Sequence, residues 1–265
     1  MTDKQQPYIE FRSVSKAFDS NRVLDQVSFD VLPGETLCIL GRSGVGKSVS
    51  LQMIMGFLKP DSGKIIVAYE DITEYTEQQM EAVRKKVTMV FQNGALFDSL
   101  TVGENVAFPL RERGDLNEEQ TYQIVDGLLE MVGVKPMRDL LPPDLSTGMK
   151  RSVAIARALA AQPEAILYDE PTTMVDPIMA QLLGDLIQKL KHQLKLTSIV
   201  VTHDMRLAKK LADRVVFQHE GKAIFFGPMH EWERSQQPVL QEFLKLDELH
   251  LPGDGDSEAS PTPPV

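Results

Sequence analysis

The stretch Thr36-Leu37-Cys38-Ile39-Leu40-Gly41-Arg42-Ser43-Gly44-Val45-Gly46-Lys47-Ser48 decides the fold. Its first five residues, apolar after Thr36, follow Pro33-Gly34 and have the pattern of a short buried strand. Its last eight fit G-x-x-x-x-G-K-[ST] without a mismatch. The run after it, Val49 to Phe57, reads as a helix. In that strand–loop–helix context the glycines turn backbone N–H groups inward, and the helix N-terminus adds its dipole to an anion site. Lys47 is expected at the β- and γ-phosphates of a nucleoside triphosphate, and Ser48 on Mg²⁺. The plain alternative, an ordinary glycine turn before a helix, leaves the complete motif unexplained.

A second apolar run, Ala165 to Tyr168, ends at Asp169-Glu170. Open α/β sheets bind ligands at such strand exits. Asp169 is the expected Mg²⁺ partner, direct or through water, and Glu170 the expected base for an attacking water. Alone, an Asp-Glu pair after an apolar run reads as a solvated loop; the phosphate loop upstream changes that reading. Between the two motifs lies Leu145-Ser146-Thr147-Gly148-Met149, in which Ser146 can N-cap a helix from Met149 to Ala160.

In this order the three motifs resemble the nucleotide-binding subunit of an ABC (ATP-binding cassette) transporter. Ser146 and Gly148 match the signature usually written L-S-G-G-Q, whereas Thr147 and Met149 depart from it. The resemblance implies an α/β fold: a P-loop NTPase (RecA-like) core, an N-terminal antiparallel β subdomain and an inserted α-helical subdomain. It implies ATP and Mg²⁺ as cofactors and ATP hydrolysis as the activity, with Lys47, Glu170 and His203 catalytic. Gly41, Ser43, Gly44, Val45, Gly46, Lys47, Ser48 and Val49 are then the nucleotide contacts, and Ser48, Gln92 and Asp169 the metal set. Phe18 takes the adenine-stacking position, and Gln92 the loop that links the active centre to a membrane partner. His203 is implied at the γ-phosphate, holding Glu170. Asp176 matches the D-loop, although Met174-Val175 replaces the usual Ala-Leu. Ser146 and Gly148 would serve the γ-phosphate held by a second copy. Each has a plain reading too: Phe18 as core, His203 as a strand-end histidine, Gln92 as a loop amide. Their order and spacing fit one scheme.

Composition sets outer bounds. The chain has 265 residues, 42% of them hydrophobic, enough for one large α/β domain with an inserted subdomain. No apolar run approaches the roughly 20 residues of a transmembrane helix. The N-terminus is polar, and Cys38 is the sole cysteine, so no intrachain disulfide forms; a cytosolic protein is expected. The net charge of −10 disfavours non-specific binding to nucleic acid or anionic lipid. The five histidines carry no zinc-site spacing.

The ATPase domain is expected over residues 8–250, with its helical subdomain over about 93–160, and a disordered acidic, Pro-rich tail over 251–265. Strands are expected at Ile9–Val14, Val27–Val31, Lys64–Val67 and Val87–Phe91, and Glu220-Gly221 marks a hairpin between Arg214–His219 and Lys222–Phe226. Met179, Leu182, Leu183, Leu186, Ile187 and Leu190 repeat at helical spacing and are expected to face the core. Val239, Leu240, Phe243 and Leu244 mark a last helix.

The segment Asn93 to Glu112, with Met149, resembles the ATPase of Mla/Mce-type lipid transporters. That narrower likeness implies a homodimer beneath an integral-membrane permease of MlaE type, a periplasmic lipid-binding MCE-type protein in the same complex, and a peripheral place on the cytoplasmic face of the inner membrane. No nucleic-acid partner is expected. Amino-acid and metal importers share much of the cassette and form the alternative. ABC ATPases of DNA repair or translation form another class, but they need coiled-coil insertions or two cassettes. A non-hydrolysing regulator would not need Lys47, Asp169, Glu170 and His203 together.

Overall fold

The computed structural model describes residues 5–42 and 44–249, the last four by backbone alone. Ser43 and the tail expected over 251–265 lie outside the described residues. The chain opens with β1 (Ile9–Phe18) and β2 (Asn21–Val31), followed by β3 (Thr36–Leu40), α1 (Lys47–Ile54), β4 (Ser62–Val67), β5 (Glu70–Asp71), α2 (Glu77–Lys86) and β6 (Val87–Val90). Three helices follow: α3 (Val102–Arg113), α4 (Glu118–Met131) and α5 (Thr147–Ala160). The rest is β7 (Ala165–Asp169), α6 (Pro177–Leu194), β8 (Thr197–Val201), α7 (Met205–Leu211), β9 (Arg214–His219), β10 (Lys222–Pro228), α8 (Met229–Glu233) and α9 (Pro238–Leu249).

Two sheets result. The smaller, in order β2-β1-β4-β5, is antiparallel. The larger runs β10-β9-β3-β8-β7-β6, parallel throughout except for the antiparallel edge strand β10. Strand alternation divides the core. Leu37 and Ile39 face a cluster shared with the small sheet, α1 and α2, where Phe11 stacks on Phe29 at 4.5 Å. Cys38 and Leu40 face the opposite cluster, built with α3 to α9. Being covered on both faces, β3 reads as a continuous apolar run rather than an alternating one. The β9–β10 turn has Glu220 and Gly221 both at positive φ (47° and 76°), which matches the twist of the paired strands.

Several expectations need correction. The helix after the phosphate loop spans Lys47–Ile54 rather than Val49–Phe57, because Gly56 turns the chain at φ 71°. Helix α2 was not anticipated; it is mostly polar and charged and buries only Met80 and Val83. Of the α6 stripe, Leu183, Ile187 and Leu190 are buried, but Leu182 is 53% exposed, beside Ile178 at 74% and Met174 at 84%. That face of α6 is not core.

Candidate active site

Strand β8 lies between β3 and β7 with Ile39 and Asp169 both in register with Val201. The chain therefore leaves all three strands at one sheet edge: Gly41 after β3, Glu170 after β7, Thr202 and His203 after β8. Strand β6 ends beside them, with Val90 opposite Tyr168.

The phosphate loop has the geometry its glycines require. Gly46 sits at φ 97°, and a Cβ there would lie 2.6 Å from Val23 Cγ1 and 2.8 Å from the Val23 carbonyl. Both the backbone conformation and the close approach of β2 exclude a side chain. Helix α1 starts on Gly46 with no side-chain cap and no acidic residue in its first turn. Its first N–H groups and its dipole are thus left to an anion. Lys47 is buried, and its ammonium donates to the carbonyls of Gly41 (2.8 Å) and Arg42 (3.1 Å). Burial pulls its pKa down, against the pull of Glu170 3.5 Å away. Val45 and Val49 are half-buried beside it, and Gly44 is open to solvent.

Glu170 is the hub of the cluster. It is buried, sits at φ 46° and donates its backbone N–H to Val201 O at 2.9 Å. Its carboxylate accepts from Thr173 Oγ1 (3.0 Å) and meets His203 Nδ1 at 2.8 Å. Burial pushes its pKa up, but the bond and charge of His203, then Lys47 and Thr173, outweigh it and leave the group below its ordinary value. His203 is raised in turn, first by the Glu170 bond. With Nδ1 engaged, Nε2 is the ring nitrogen left for a ligand. A left-handed non-glycine residue costs about 1–3 kcal/mol and clusters at active sites.

Asp169 is also buried, and burial raises its pKa although Ser48 Oγ donates to it at 2.7 Å. Two hard oxygens in contact, one a carboxylate penalised by burial, form a donor set that suits Mg²⁺.

The other expected residues lie outside this cluster. Phe18 ends β1, 41% exposed, with Lys16 Nζ 5.7 Å from its ring centroid. Gln92 lies exposed just past β6. Ser146 caps α5 through Met149 N (3.3 Å), and Asp176 caps α6 through Met179 N (3.0 Å). Gly148 lies between those helix starts: a Cβ there would fall 2.6 Å from Met179 Cε. Among the described residues no hydrogen bond joins Phe18, Gln92, Ser146, Gly148 or Asp176 to Lys47, Asp169 or Glu170. The sequence reading missed Thr173, whose position in Pro171-Thr172-Thr173 resembles any loop. It also missed the pair Thr172 Oγ1 to Asp204 Oδ2 (3.2 Å), which ties the loop after Glu170 to the cap of α7.

Comparison with known proteins shows the family. The family pattern described as "ABC transporter" matches residues 24–173. The chain is 38% identical over 240 residues to the intermembrane phospholipid transport system ATP-binding protein MlaF of Haemophilus influenzae, covering 91% of both chains. It is also 38% identical over 223 residues to the methionine import ATP-binding protein MetN of Geobacillus kaustophilus, covering 84% of this chain and 65% of that one. Among solved structures it superposes on the dimeric ATP-binding cassette MJ0796, in a post-hydrolysis state bound to ADP and Pi. The TM-score is 0.77 at 29% identity, over 83% of this chain and 98% of the other. A phosphate loop, an acidic strand exit and a histidine on one sheet edge, in a chain with these relatives, mean that it belongs to the ABC transporter family as an ATP-binding, ATP-hydrolysing subunit.

Proposed function

We propose that this ATPase powers phospholipid transport across the bacterial cell envelope, as a homodimer bound to a membrane permease of MlaE type with a periplasmic MCE-type protein. The reading rests on the MlaF likeness, which covers the two chains almost end to end. The MetN likeness, at equal identity, supports the alternative of a small-molecule importer. Among the described residues no helix is long and apolar enough to cross a membrane. A peripheral place at the cytoplasmic face of the inner membrane fits that.

The observation that carries the chemistry is Glu170 held by Lys47, His203 and Thr173. A lowered pKa keeps Glu170 ionised, so it accepts a proton or hydrogen bond from the attacking water. Lys47 turns from its two carbonyls to the β- and γ-phosphates, against the uncapped N-terminus of α1. His203 Nε2 donates to the γ-phosphate while Nδ1 keeps Glu170 aimed. Ser48 and Asp169 would hold Mg²⁺, which when bound neutralises phosphate charge, and Gln92 would have to swing in from outside the cluster to join them. Phe18 offers an exposed ring for adenine. Ser146 and Gly148, outside the cluster, serve the nucleotide of the partner copy, and Asp176 sits at the same junction. Phe97, 43% exposed and packed on Phe108 at 4.9 Å, is the proposed permease contact; Leu96 is partly core.

Glu170→Gln is expected to keep ATP binding and cut turnover of the assembled complex on the order of a hundredfold or more. Steady-state ATPase within a few-fold of wild type would reject the assignment. For the cargo, a deletion strain is expected to show altered outer-membrane phospholipids and detergent sensitivity. Normal lipids with defective uptake of methionine or a metal would favour the importer.

A further inference from the structure

Helix α5, which begins at the Ser146 cap, carries Arg157 about three turns along. Arg157 Nη1 donates to Ala95 O at 2.8 Å and Nη2 to Gly94 O at 3.1 Å. Its guanidinium carbon lies 5.8 Å from the Phe97 ring centroid. Those two carbonyls belong to consecutive left-handed residues, Gly94 at φ 79° and Ala95 at φ 47°. Asn93 Oδ1 accepts from Ala95 N at 3.1 Å and helps hold the turn. Farther along, fully buried Asn105 of α3 takes Phe97 N on its Oδ1 (2.8 Å) and gives its Nδ2 to the carbonyls of Phe97, Leu100 and Thr101. The segment after Gln92 is therefore fastened at two points, and only one belongs to the helix that starts at the signature.

The arginine fork matches this task. A guanidinium presents parallel N–H groups to two acceptors at once, whereas an ammonium is a point charge. Burial lowers the Arg157 pKa, yet no carboxylate pairs with it among the described residues; its partners are backbone carbonyls and a ring. A half-buried cation held by two carbonyls of consecutive left-handed residues, with no carboxylate beside it, points to a requirement beyond packing.

We propose that Arg157 is a positioning residue for hydrolysis: it locks the Gln92 segment to the signature helix, so that a load on the Phe97 face moves Gln92 and Ser146 together. The transmission of load from that face rests on the reading of Phe97 as a permease contact. Among the described residues Arg157 makes no hydrogen bond to Lys47, Asp169 or Glu170.

The test compares wild type, Arg157→Gln and Arg157→Lys, as the isolated full chain and as the complex purified from membranes. For Arg157→Gln the expected result is ATP affinity of the isolated chain within about twofold of wild type, and complex turnover at saturating ATP about tenfold lower, with KM within about threefold. Arg157→Lys, which keeps the charge and one of the two bonds, should recover part of kcat. Should Arg157→Gln fail to fold, Arg157→Lys carries the test alone, with a kcat loss of a few-fold at unchanged KM expected. Turnover within twofold of wild type would overturn the proposal. So would a loss seen only in ATP affinity, and an equal loss of kcat in isolated chain and complex would overturn the transmission of load while leaving Arg157 a positioning residue. If no membrane protein co-purifies with the wild-type chain, the permease reading is what fails. The isolated chain's own hydrolysis then decides for Arg157: a lower kcat at unchanged KM supports it, and an unchanged kcat overturns it.

Discussion

Cys38 shows how tightly the phosphate loop is founded. It stands in β3, three residues before Gly41, fully buried between β8 and β9. Burial pushes its thiol pKa up to about 12. The thiolate is the reactive form, so both access and ionisation protect the group. In native protein at pH 8 Cys38 is expected to resist a thiol reagent for hours and to react within minutes in denaturant. Rapid stoichiometric labelling of native protein would show that β3 opens. Nucleotide should slow any residual reaction, since a ligand of the native state suppresses opening.

At the scale of elements, α9 illustrates how much a single anchor carries. Its Leu240 and Phe243 are buried against Trp232 of α8 and Phe217 of β9, with ring centroids 4.9 Å (Phe243–Phe217) and 6.4 Å (Phe243–Trp232) apart. Phe243→Ala is expected to destabilise by about 3–5 kcal/mol. Because Trp232 is the sole tryptophan and fully buried, its emission should shift to the red in the same variant. An unchanged spectrum and melting temperature would mean that α9 is not docked. This helix was legible in the sequence, since Val239, Leu240, Phe243 and Leu244 already have its spacing. So were β3, β7 and β8, whose apolar runs end at Gly41, Asp169 and Thr202-His203. Helix α2 was not, because it has almost no apolar face. Its start was nonetheless written as the capping box Thr76 to Gln79, and the same device opens α3 and α4 at Thr101–Glu104 and Asn117–Gln120. Arg157 and Asn105 were not legible, because what they hold is backbone carbonyls brought near only by the fold. The α6 stripe misled for the complementary reason: periodicity gives an apolar face but not what covers it.

For the whole molecule that uncovered face and the charge act in opposite directions. A net charge of −10 drives copies apart at low salt. Ile178 and Leu182 are exposed on α6 and Met174 in the turn before it, and the first turn of α6 packs on Gly148 through Met179. The face is thus continuous with the signature, the part of the site proposed to serve a second copy. Two copies closing on two nucleotides would cover it. The isolated chain is therefore expected to be mainly monomeric and a weak ATPase. ATP added to Glu170→Gln should drive it to a dimer, because bound triphosphate bridges the two surfaces and is not consumed. Met174→Asp in that background should weaken the dimer at least tenfold, since each closure would bury two unpaired carboxylates, while ATP affinity of the monomer stays within about twofold. Sedimentation in ATP decides it. No ATP-dependent gain in mass in Glu170→Gln, alone and with its permease, would count against a shared site; a dimer indifferent to Met174→Asp would place the contact on another face.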